Sequence, residues 1–194
     1  MSRFSRLCAV VALSIAAGPA VALENNAKPL PFPAAIGGPF QLSDGQGRIR
    51  TEADPDGRTQ LLFFGYANCP GMCPVALPLM AEITDILAAD GIAVRPVMIT
   101  VDPDRDTPAA MATALGRFHP DFIGLTGDPA ALANAYDAFS VSPQLMLQDP
   151  SAGAIFAHAT QIFVLSAEGQ VMSVLPPILP GKRLAEIVAR YATY

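Results

Sequence analysis

Two cysteines four residues apart, Cys69 and Cys73, and one distant histidine, His158, are the side chains in this sequence most suited to hold a soft metal ion. In the run Phe63-Phe64-Gly65-Tyr66-Ala67-Asn68-Cys69-Pro70-Gly71-Met72-Cys73-Pro74, an apolar strand leads into a turn and a helix starts at the second cysteine. Free N–H groups and the dipole at a helix N-terminus favour thiolate, and one turn of chain lets both sulfurs face the same point. Closing so short a loop by a disulfide adds little stability, so a purely structural bridge does not explain the pair. Buried structural thiols are the plain alternative. His158 is one of two histidines; with two thiolates it makes a low-coordinate set suited to Cu(I), and Cu(II) can use the same donors with a water or weak ligand added. A structural zinc would require four ligands. His119, in Arg117-Phe118-His119-Pro120, ends a helix and reads as a C-terminal cap.

The elements around these residues are legible from periodicity. Gln60 to Tyr66 reads as a buried strand, Pro74 to Ala89 as a helix with Leu79, Met80, Ile83, Ile86 and Leu87 on one face, and Ile92 to Val101 as the next strand. Thr107-Pro108 and Asp128-Pro129 each place a capping side chain before a proline, which starts helices reaching about Phe118 and Phe139. Phe122 to Thr126 is a short strand between them. Val141 to Phe156 is a loop or a hairpin. Thr160 to Ser166 and Gln170 to Leu175 form a hairpin around Ala167-Glu168-Gly169, and Gly181 to Tyr191 is an amphipathic closing helix. Upstream, Pro39 to Leu42 and Arg48 to Ala53 form a further hairpin. This order is that of an α/β, thioredoxin-like three-layer sandwich with an added N-terminal β-hairpin. A thiol-disulfide oxidoreductase of that fold uses the shorter CxxC and a proline before the later strand. Here the loop has one more residue and His158 stands near the proline's place. A peroxidatic thiol would need Thr and Arg neighbours that the residues before Cys69 do not supply.

The chain is 194 residues long with a net charge of −5 and 52% hydrophobic residues, as expected of one folded domain plus a targeting segment. Its twelve basic residues form no run along the sequence, so no nucleic-acid partner is expected. Residues 1–22 read as a signal peptide or N-terminal anchor: Arg3 and Arg6 precede an apolar run from Leu7 to Val21, and Ala20-Val21-Ala22 offers a cleavage pattern. Removing them takes the charge from −5 to −7 and takes Cys8 away. Residues 23–36, with Pro29, Pro31 and Pro33, read as an extended tether, and residues 37–194 as the folded domain. The protein is therefore expected in the periplasm or another extracytoplasmic space, with membrane contact only through an N-terminal anchor.

Taken together, Gly65-Tyr66-x-x-Cys69-Pro70-x-x-Cys73-Pro74, then Val101-Asp102-Pro103-x-Arg105-Asp106-Thr107-Pro108, then Leu125-Thr126-Gly127 and a histidine before an apolar strand ending in Glu168-Gly169, resemble the Sco/SenC family of copper-binding proteins over about residues 30 to 192. The resemblance implies a thioredoxin-like copper protein that serves assembly of the dinuclear copper centre of cytochrome c oxidase, with Cys69, Cys73 and His158 as copper ligands. It implies as partner a copper-accepting subunit of a respiratory oxidase, or another copper protein. An acidic residue commonly precedes the family's histidine, whereas Ala157 stands here. Asp102, at the end of a strand on the same sheet edge, is then the candidate carboxylate behind the metal ligands, its alternative being a cap of the Asp102 to Thr107 turn. Met72 reads as a weak thioether donor or part of an apolar rim. Two functions stay open: a metallochaperone, which transforms no substrate, and a thiol-disulfide oxidoreductase using Cys69 and Cys73, for which His158 is dispensable.

Overall fold

A computed structural model describes residues 36–67, 69, 73–151 and 153–192. The signal or anchor segment, nearly all of the tether, and Met72 lie outside the described residues. The frame of the molecule is a five-stranded sheet of order β5-β4-β3-β8-β9. Its strands are β3 (Thr59–Gly65), β4 (Val94–Thr100), β5 (Ile123–Leu125), β8 (Ile162–Leu165) and β9 (Val171–Leu175). The first three run parallel to each other, while β8 and β9 are antiparallel to their neighbours. Every residue of β3 is buried, as expected of a central strand covered on both faces.

Alternation along β3 assigns the two faces. Phe64 packs against Tyr136, Phe139 and Phe163, with ring centroids 6.1, 5.5 and 6.0 Å away. Those contacts place α3 (Pro129–Ala138) and its C-cap over one face of the sheet. Phe63 points the other way, toward α1 (Cys73–Ala89), which packs with α4 (Gly181–Ala192). The buried face of α1 centres on Ala76, Leu77, Met80, Ile83, Thr84 and Leu87, with Leu79 and Ile86 at its margin. Thr107 caps α2 (Pro108–Leu115) by accepting the Ala110 N–H at 3.2 Å, and Asp128 caps α3 through Ala131 at 2.8 Å. The proline after each cap loses no hydrogen bond there.

The upstream hairpin is shorter than its pattern suggests. It comprises β1 (Leu42–Ser43) and β2 (Ile49–Arg50), because buried Asp44 turns the chain by accepting the N–H groups of Gln46 and Arg48 at 2.9 and 3.0 Å. Ser43 bridges to Thr126 beyond β5, which fastens this small sheet to the domain. Although scattered in sequence, Arg50, Arg58 and Arg95 converge on the buried carboxylate of Asp54, with Asp56 taking two of them. Between Val141 and Phe156, where a loop or a hairpin is expected, the chain forms a hairpin: β6 (Gln144–Asp149) pairs with β7 (Gly153–Ala157) and delivers the chain to His158. Among the described residues no helix is long and apolar enough to cross a membrane.

Candidate metal centre

Strand register brings the three candidate ligands to one edge. Gly65 of β3 pairs with Thr100 of β4, so the cysteine turn after β3 and the Asp102–Thr107 turn after β4 leave the sheet side by side. Antiparallel β8 pairs Phe163 with Leu62, so the residues just before β8 return to that same edge. His158 is therefore set beside the cysteines by sheet register, despite a separation of 89 residues from Cys69.

Cys73 opens α1 and is buried, as is Cys69, and no disulfide joins them. The His158 Nε2 lies 3.7 Å from the Cys69 Sγ and 3.9 Å from the Cys73 Sγ, and all three donor atoms fall within 4.8 Å of one another. Ligand bonds of roughly 2.0–2.3 Å at tetrahedral to trigonal angles set donor atoms about 3.5–4.0 Å apart, so one ion fits among these atoms with small adjustments. The His158 Nδ1–H donates to the Ala159 carbonyl at 2.8 Å, which leaves the lone pair on Nε2 and aims it at the sulfurs. Phe63 and Tyr66 hold the imidazole edge-on, with centroids 5.6 and 5.8 Å away. At Gly65 a Cβ would stand 2.8 Å from the Cys73 Sγ and 2.7 Å from the Phe63 ring, so a side chain there would compete with the sulfur for space.

The electrostatics differ from the simple helix-terminus expectation. The hydrogen bond with Cys69, and then burial, push the Cys73 thiol well above its ordinary value, outweighing the favourable contact with the Tyr66 backbone. Two neighbouring sulfurs resist carrying two negative charges until a cation shares the site. Burial works against the imidazolium of His158, but hydrogen bonding to Cys69 and to the Ala159 carbonyl outweighs it and raises His158 above its ordinary value. The metal-free site thus holds protons that a soft cation would displace.

Beneath the cysteine turn, the buried carboxylate of Asp106 accepts the Ala67 N–H at 3.1 and 3.3 Å and the Thr100 hydroxyl at 2.7 Å. Burial holds this carboxyl above its ordinary value. Asp102 is also buried, and its carboxylate takes the Arg105 guanidinium while its carbonyl closes the turn by accepting the Arg105 and Asp106 N–H groups. The Nδ1 of His158 is matched by a backbone carbonyl, and Asp102 reaches the histidine indirectly, through Arg105 and the hairpin or the Tyr66 ring. His119 is elsewhere: its Nδ1 accepts the Asp121 N–H at 3.1 Å and its Nε2 lies 3.3 Å from Asp85 of α1, so the ring ties the turn after α2 to α1, while the C-cap of α2 is Gly116. Tyr66, Arg105 and Asp106 all sit in the quoted motifs, but their roles rest on contacts across 39 or more residues, beyond what local pattern encodes.

A thioredoxin-like sandwich with a Cys-x-x-x-Cys turn facing a histidine defines a class of α/β proteins with a soft-metal or redox centre. Residues 28–193 match the SCO1/SenC family. The SCO2-like protein of Rickettsia conorii is 36% identical over 150 residues, covering 77% of this chain and 70% of that protein. The mitochondrial SCO2 homologue of Bos taurus is 35% identical over 161 residues, 81% of this chain and 60% of the longer relative. The structure of Bradyrhizobium japonicum ScoI with copper bound is similar with a TM-score of 0.72 and 33% identity, over 80% of this chain and 99% of that one. The chain belongs to the SCO1/SenC family.

Proposed function

We propose that this protein is a copper metallochaperone that carries copper on Cys69, Cys73 and His158 and delivers it to the copper-accepting subunit of a respiratory oxidase during assembly. The observation that carries this reading is the convergence of His158 Nε2 on both sulfurs, at 3.7 and 3.9 Å. Family membership and the copper bound in the related ScoI support the choice of ion. The N-terminal pattern, together with a mitochondrial relative, supports an extracytoplasmic site of action, with the signal or anchor at residues 1–22 ahead of a tether and a domain over 37–194.

The chemistry required of the chain is exchange of ligands. Two sulfurs and one imidazole leave coordination positions open, so donors of an acceptor can enter before those of this protein leave. The imidazole is the most exposed of the three side chains and stands at the rim, where a neutral donor can be displaced without separating charge. A thiol-disulfide exchange role would need the sulfur pair alone, and the aimed imidazole favours the metal reading over it. Metal analysis of the purified protein tests this directly. About one copper per chain is expected, with loss of tight binding in Cys69→Ala, Cys73→Ala and His158→Ala; retention of tight binding in His158→Ala would remove the imidazole from the site.

A further inference from the structure

The strand that ends at His158 is gripped by a residue from another part of the fold. Arg105, in the turn between β4 and α2, donates from Nη2 to the Ala154 carbonyl of β7 at 2.5 Å. Its Nε donates to the Asp102 carboxylate, which is only 4% exposed, so the guanidinium is anchored from behind. The guanidinium carbon also lies 5.8 Å from the centre of the Tyr66 ring. Gly153, just before Ala154, has φ +77°, and a Cβ there would run into the Arg105 guanidinium. Tyr66 continues the connection: its hydroxyl accepts the Phe156 N–H at 3.2 Å, and its ring meets Phe156 and His158 edge-on at 5.6 and 5.8 Å. Arg105 therefore touches β7 four residues before the imidazole and also supports the ring against which the imidazole rests.

We propose that Arg105 is a positioning residue for the metal site: by bridging Asp102 to β7 it holds the hairpin so that His158 stays over Cys69 and Cys73. This rests on the copper reading above. A planar fork with several donors suits the task, because one end bonds the carboxylate while the other bonds the carbonyl. A lysine carries its three donors on one nitrogen and lacks the two separated, pre-oriented nitrogens that Arg105 uses here.

The test uses the full chain, with Cu(I) as probe against a chromogenic Cu(I) chelator. Arg105→Met keeps an apolar stem and removes the fork, and should weaken Cu(I) binding about 10–100-fold, as loss of groups that orient ligands does. Arg105→Lys should recover part of that loss. In a His158→Ala background, Arg105→Met should change affinity by no more than about twofold, because no imidazole is left to position. An equal loss in both backgrounds would mean a general structural role, and an unchanged affinity in the otherwise native chain would mean no role; either overturns the proposal. Amide hydrogen exchange on the metal-free protein gives a separate reading: Arg105→Met should speed exchange at Phe156 and His158 while leaving α1 unchanged, and unchanged exchange there also overturns it. If His158→Ala alone leaves Cu(I) affinity intact, the copper reading fails, and the exchange result still decides whether Arg105 holds the hairpin.

Discussion

The Nε2 of His158 stands 3.7 Å from the Sγ of Cys69, although 89 residues separate them in the chain. Sheet register makes that approach: Leu62 of β3 faces Phe163 of β8, so the segment ahead of β8 comes back to the edge where β3 releases the cysteine turn. The consequences can be measured at individual residues.

Gly65 keeps the cysteine turn close to the sheet. In Gly65→Ala the added methyl would stand 2.8 Å from the Cys73 Sγ and 2.7 Å from the Phe63 ring. The sulfur must shift or the ring must turn, at a cost of about 1–3 kcal/mol for an overpacked site. Denaturant unfolding should report that loss, and a Cu(I) competition assay should show affinity falling by at least about tenfold, in line with displaced ligand geometry.

Copper binding should tighten as pH rises. Despite the opposing effect of burial, hydrogen bonding to Cys69 and Ala159 raises His158 above its ordinary value of 6.5, so a proton occupies Nε2 to higher pH than in a free histidine. The metal-free fold gains stability from this shift below the unfolded value, and loses it as pH rises through the folded one. Binding copper then releases that proton. As pH rises from the ordinary value through the raised one, the slope of affinity against pH should be steeper for the native chain than for His158→Ala, by up to one proton. Parallel slopes would show that the imidazole does not exchange its proton for the ion.

Asp44 offers a control remote from the cysteines in the fold. Burial would raise its carboxyl, but the backbone bonds from Gln46 and Arg48 and the Arg48 guanidinium outweigh it and hold it below its ordinary value of 3.8. Its contribution is present above about pH 4 and lost as pH falls through the lowered folded value. Asp44→Ala should cost about 1 kcal/mol at neutral pH. The difference from the native chain should shrink in acid as the ionised part of that contribution is lost, and Cu(I) affinity should be unchanged. A copper defect in this variant would mean that the small N-terminal sheet supports the site.

Oxidation of the cysteine pair should compete with copper. The two sulfurs lie within 4.8 Å and are unbridged, so closing to about 2.05 Å requires a local movement of the turn. A disulfide leaves no thiolate to bind. Oxidised protein should take up no copper at Cys69 and Cys73, and reductant should restore the capacity fully; copper uptake by fully oxidised protein would place the ion elsewhere.

Much of this arrangement was legible in the residues. The buried strand before Cys69 and the caps Thr107 and Asp128 announce themselves by short-range patterns, and the structure places each as expected. The hairpin before His158 did not, because β6 is exposed along nearly its whole length and shows no alternation: Leu145, Met146 and Leu147 follow one another, each more than half exposed. Arg105 and Asp106 read as parts of a turn. Their contacts with Ala154 and Ala67 span 49 and 39 residues, and only the parallel register of β3 with β4 and the fold-back of β7 create them. Likewise, a helix N-terminus favours a single thiolate, but Cys69 and Cys73 share one buried site, and the cost of placing two sulfurs together depends on a proximity that the spacing alone does not encode.

X-ray absorption at the copper edge of the Cu(I)-loaded chain measures the donor set itself. Two sulfur neighbours and one nitrogen are predicted, with the nitrogen lost in His158→Ala and one sulfur lost in Cys69→Ser or Cys73→Ser. A native spectrum with sulfur neighbours alone, or one that His158→Ala leaves unchanged, would contradict the assignment of a two-thiolate, one-imidazole copper site.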